Sequence, residues 1–139
     1  MSGGRRRGQS ALEFALMLPA LLLILGGTIQ FGQAFLAYAQ LMQAAQEGAR
    51  YGAVLPYTRN DAAITARAQQ VAPGGTNDTV TVTSTVSATN STPVTAANRT
   101  RGNVLTVNVR HTQPLAIPFF PVASLPLSAT ASMVVEQTP

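Results

Sequence analysis

From Phe14 to Gln46 the sequence carries no charged side chain, and Phe14 to Ile29 (FALMLPALLLILGGTI) holds a single polar one, Thr28. As a helix, those 16 residues span about 24 Å at ~1.5 Å per residue. Extended to Leu36 the run reaches about 34 Å at the cost of including Gln30 and Gln33, enough to cross a ~30 Å hydrocarbon core. The basic triplet Arg5-Arg6-Arg7 stands in front of it. The positive-inside rule therefore places the N-terminus in the cytoplasm and everything after about residue 36 outside, as a single pass through the inner (cytoplasmic) membrane.

Three kinds of N-terminal segment share this outline. A secretory signal peptide has a basic start, but the apolar region here is long and no small-x-small cleavage site follows it in a polar stretch. A plain signal anchor accounts for the span but leaves Glu13 unexplained. A carboxylate at the mouth of a membrane helix costs up to roughly 2.5–3.5 kcal/mol near a bilayer centre, so it calls for a purpose. Gly8 followed by Glu13 resembles the processing site of type IV pilin-like proteins, in which a prepilin peptidase cuts after glycine. Cutting between Gly8 and Gln9 would leave Glu13 as the fifth mature residue, one helical turn from the new amine and on its face. An α-amine ordinarily titrates near ~7.7–8.0, so this one would be largely cationic and could pair with Glu13 in the same or a neighbouring subunit. The pair Glu13-Phe14 resembles the Tad (Flp, type IVb) branch.

Beyond the apolar run the pattern becomes amphipathic. Phe31, Ala34, Phe35, Tyr38, Leu41, Met42, Ala45, Ala49 and Gly52 recur on one helical face, with Gln33, Gln40, Gln43, Glu47 and Arg50 on the other. One helix from about Ser10 to Val54 is expected, bent at Pro19, with Glu47 and Arg50 paired at i, i+3. Ala44, Gly48 and Gly52 form a small-residue ridge that lets another backbone approach closely. Two helical glycines cost about 1 kcal/mol each, which close packing would offset; the alternative is a fraying helix end before Pro56. The basic leader, Gly-x4-Glu-Phe, the apolar helix with Pro19, and Ala-Ala-x-Glu-Gly-Ala-Arg about thirty residues later together resemble the TadE-like family of Tad pilus proteins. The resemblance covers residues 5–55. It implies that Gly8 and Gln9 flank the cleavage site, that Glu13 and Phe14 serve assembly, and that Glu47, Gly48, Ala49 and Arg50 are the family motif at the helix end.

The chain then divides into a leader (1–8), a long helix (9–55) and a small extracytoplasmic domain (56–139). In that domain Asn60 or Asp61 can cap a short helix ending near Val71, with Ile64, Ala68 and Val71 on one face. Residues 79–88, 103–112 and 127–136 alternate with period two and read as three strands. Their inward residues are Val80, Val82, Ser84 and Val86; Leu105, Val107, Val109 and His111; then Leu127, Ala129, Ala131, Met133 and Val135. Between the last two strands, Pro114 to Pro126 (PLAIPFFPVASLP) carries four prolines and reads as an apolar loop against the helix or the membrane surface. The fold class is α+β: a long transmembrane and amphipathic helix with a three-stranded antiparallel sheet, pilin-like in plan.

Nothing in the sequence points to catalysis. The five acids are scattered, His111 is the only histidine, and there is no cysteine. A net charge of +4, three charges of which lie in the leader, is no nucleic-acid signature. Neither metal, cofactor, nucleic acid nor small-molecule substrate is expected, and the chain is read as no enzyme. Two functions remain. One is a minor pilin or pseudopilin for assembly of a Tad-type pilus, with the membrane, a prepilin peptidase, other pilins or pseudopilins and Tad inner-membrane assembly proteins as partners. The other is a membrane-anchored extracytoplasmic binding or adhesion module that never enters a filament.

Overall fold

The computed structural model describes residues 4–54, 59–115 and 123–136. Helix α1 runs from Gly4 to Ala53, 50 residues and about 75 Å. It starts upstream of the expected Ser10, inside the leader, because arginine is a good helix former and a helix nucleated downstream extends cheaply. It also passes through Pro19 as one uninterrupted element. Thr28, the polar residue of the apolar run, donates its hydroxyl to the Ile24 carbonyl at 2.8 Å, so it brings no unsatisfied group into an apolar setting.

Helix α2 (Asp61–Gln69) is capped by Asn60, whose side chain accepts from the Ala63 N–H at 3.0 Å. Strands β1 (Thr79–Thr85), β2 (Val104–Leu115) and β3 (Ala123–Val134) form an antiparallel sheet in the order β1-β2-β3. Val82 pairs with Val107 and Val107 with Ala131, so the inward faces read from the sequence coincide across all three strands. Leu105, Val107, Val109, Ala129 and Val135 pack on Leu41, Ala44, Ala45 and Ala49 of α1, with Ile64 and Ala68 of α2 closing the core. Fully burying an isoleucine such as Ile64 contributes about 1.5–3 kcal/mol. The end of the chain returns to α1: the Glu136 N–H donates to the Ala53 carbonyl at 2.9 Å.

The proline-rich stretch departs from expectation. Instead of a loop from 114 to 126, β2 continues to Leu115 and β3 begins at Ala123, with Thr112 opposite Pro126 and Pro114 opposite Ser124. Val135 donates its N–H to Asn103, which sets the alternation of the ladder: odd-numbered residues of β2 exchange backbone bonds with β3 and even-numbered ones do not. Both prolines fall in non-exchanging pairs, where an N–H would turn away from the partner. β1 ends its pairing at Arg110 of β2, so no third strand misses the Pro114 donor either. The part of the loop expectation that concerns residues 116–122 lies outside the described residues.

Candidate assembly surface

The first half of α1 is bare. Leu12, Phe14, Leu16, Met17, Leu21, Ile24 and Ile29 are all exposed, and this helix is long and apolar enough to cross a membrane. At its start the Gln9 side-chain amide donates to Glu13 at 3.4 Å, so the two residues share a face one turn apart. A side chain at Gly8 would meet nothing within 4 Å, and Phe14 is 64% exposed. No packing in the fold therefore requires glycine at position 8.

The small-residue ridge lies at the other end. Ala44, Gly48 and Gly52 are buried. A Cβ on Gly48 would lie 3.0 Å from the Ala68 Cβ and 3.2 Å from Val107, and one on Gly52 would press into Leu105 and Ile64. The ridge is thus the seat of the protein's own α2 and β2. In the motif Glu47-Gly48-Ala49-Arg50, Ala49 is fully buried and Arg50 is exposed. Glu47 does not pair with Arg50 as the spacing suggested. It accepts from Nε and Nη2 of Arg67 at 2.9 and 2.7 Å, because α2 lies beside α1 and its guanidinium presents two aligned donors. Both partners are well exposed, so the pair contributes about 0–1 kcal/mol and serves more to orient α2.

The amphipathic face is split. Ala34, Ala37, Leu41, Ala45 and Ala49 are buried, whereas Phe31, Phe35, Tyr38 and Met42, at i, i+4, i+7 and i+11, remain exposed along one flank. The domain is too narrow to cover the whole apolar arc, and periodicity alone could not show which part would be left.

Two polar contacts were not foreseen. Arg99, in the Thr/Asn/Ser-rich connection between β1 and β2, is the largest fully buried side chain among the described residues. It donates Nε to Ser84 at 2.7 Å and Nη1 to Asp61, tying the β1–β2 connection to the first turn of α2. His111, on the same strand face as Leu105, Val107 and Val109, is mostly buried against Asp78, Nδ1 to Oδ1 at 2.6 Å. The β2 register brings it beside the α2–β1 turn, where the second Asp78 oxygen accepts the Gly74 N–H at 2.9 Å. They border an open groove of about 750 Å3 with Arg110, Thr112 and Ser128. No cluster of three metal-ligating side chains occurs among the described residues.

One long helix, bare along its first half and carrying a small antiparallel sheet on its second, is an α+β arrangement, and its apolar helix fits a membrane-anchored pilin. The model of the TadE-like protein family matches residues 8–50, so over that helix the chain is similar to TadE-like proteins. The match begins at Gly8 and ends at Arg50, within α1, and leaves the sheet outside it. The family points to a minor-pilin-like protein associated with the Tad pilus machinery and the membrane. Neither the curated proteins nor the solved structures contain a match.

Proposed function

We propose that this protein is a non-catalytic minor pilin or pseudopilin that helps assemble a Tad-type pilus. In this reading a prepilin peptidase cuts it between Gly8 and Gln9, and α1 crosses the inner membrane with its N-terminus in the cytoplasm. The observation that carries the reading is the bare start of α1. Gly8 has no packing role, which is compatible with its being read by a peptidase. Glu13 stands exposed on an otherwise apolar helix, on the face of Gln9. After cleavage the Gln9 amine would lie within reach of Glu13, or of the Glu13 of an adjacent subunit, where each charge neutralises the other at apolar depth. Phe14 and the uncovered residues Tyr38 and Met42 then offer helix surface to neighbouring pilins or assembly proteins.

Two variants test this in a cell that makes the pilus. Gly8→Leu should retain the leader, read by mass spectrometry of the N-terminus. Glu13→Ala should be inserted and cut, yet no longer co-purify with pilus components. An intact leader on the wild-type chain in piliated cells would sink the processing step. Normal co-purification of Glu13→Ala would remove the assembly role and favour a membrane-anchored binding or adhesion module.

A further inference from the structure

We infer that the far end of the β2–β3 hairpin, carried by Leu115 and Leu125, is a second membrane contact that rests in the outer lipid interface beside α1. The inference depends on α1 spanning a membrane and not on processing or filament entry.

The position of the hairpin along α1 follows from two contacts. Val107 lies at the level of Gly48 and Leu105 at the level of Gly52, so two strand residues match four helix residues. That ratio agrees with rises of about 3.3 and 1.5 Å per residue. Carried down the strand, Leu115 falls beside about residue 32 of α1. The burial pattern agrees: Ala34 and Ala37 are buried, and the same face stays half-buried at Gln30, Gly26 and Leu23, while a side chain at Gly27 would meet nothing within 4 Å. The folded domain therefore reaches down the helix into the apolar run that begins at Phe14.

The membrane sets the other boundary. With Glu13 at one edge, a ~30 Å hydrocarbon core ends about 20 residues later, near Gln33. If the hairpin end were held above the bilayer in water, α1 would have to withdraw until its apolar segment was too short to span. If α1 fills the bilayer, the hairpin end lies in the outer interface. Its chemistry suits that place. From Thr112 to Val135 the sequence has no charged side chain, Leu125 is 39% exposed although its strand face is the inner one, and Leu115 is half-buried. Beside it on α1, Phe31 and Phe35 are 74% and 66% exposed. The apolar surface is thus continuous from the spanning helix onto the hairpin. The other end of the same strand differs: Val134 lies near the outer end of α1, beside Glu136.

The test uses the full chain, which has no cysteine of its own, reconstituted at low protein density into phosphatidylcholine–phosphatidylglycerol vesicles. A polarity-sensitive fluorophore is attached to Leu22→Cys, Leu125→Cys or Val134→Cys, and spin-labelled lipids of shallow and deep position serve as quenchers. Circular dichroism confirms that each labelled chain keeps its sheet. The expected result is that the Leu125 label loses the larger part of its emission to the shallow quencher, the Leu22 label to the deep one, and the Val134 label to neither. A quenched Leu22 label with a Leu125 label as aqueous as Val134 would overturn the hairpin contact alone. Quenching of neither would overturn the membrane span itself. A Leu125 signal that vanishes on dilution of protein in lipid would assign that surface to a neighbouring subunit and likewise overturn the inference.

Discussion

Leu22 and Ala45 belong to one unbroken helix and to one charge-free stretch of sequence, yet Leu22 is 44% exposed and Ala45 is fully buried. The large side chain is bare and the small one covered, the reverse of what hydrophobicity alone would place inside a soluble protein. The lower half of α1 is built of large apolar residues and leaves most of them bare, which fits a helix solvated by lipid. The upper half narrows to alanine and glycine on one face because a sheet and a second helix must come close to its backbone. Side-chain volume therefore separates the two environments better than polarity does.

The sharpest way to break the comparison is to place the same charge in both halves. Ala45→Arg buries an unpaired guanidinium in the core and is expected to cost more than about 4 kcal/mol, abolishing the sheet signal in circular dichroism. Leu22→Arg should leave the melting of the domain unchanged and instead oppose membrane insertion by about 2.5–3.5 kcal/mol, read as loss from the membrane fraction. Equal domain melting in the two variants would show that the halves do not differ in this way.

Next in size is Gly52→Leu, which drives a side chain into Leu105 and Ile64 and should cost about 3 kcal/mol by urea unfolding of the chain in detergent. An unaltered midpoint would mean that the ridge is not packed. Asp61→Ala removes a half-exposed partner from the buried Arg99, which keeps its bond to Ser84; about 2 kcal/mol is expected in the same assay. The smallest effect falls on the surface pair. Glu47→Gln should change stability by less than about 1 kcal/mol, and that difference should shrink in high salt; a salt-independent loss of several kcal/mol would show that the family motif does more than orient α2.

How much of this was legible depended on the distance over which each choice is made. The period-two pattern of the three strands gave their inner faces correctly except at Val86, which lies past the end of β1 and is exposed, because alternation is local and a one-residue slip would exchange the two faces. The proline-rich stretch was harder. Proline is excluded only where a partner needs its N–H, and which edges of a ribbon are free is decided by where the neighbouring strand stops. The partners of Arg99 and His111 lie 38 and 33 residues away in sequence, at Asp61 and Asp78, beyond any spacing rule. The pairing of Glu47 with Arg67 rather than Arg50 has the same origin, since the position of α2 beside α1 is set by Ile64 and Ala68 entering the core.

The sequence by itself determined the long helix, its apolar span and lone Glu13, the likeness of residues 8–50 to TadE-like proteins, and the inward faces of the sheet from β1 through β3. Each of these rests on periodicity or on charge within a few turns of backbone. Only the tertiary structure decided which arc of α1 is covered, which charges are buried, and how far down the helix the hairpin reaches. Those follow from the width of the packed domain and from strand register, which bring together residues that no local pattern relates.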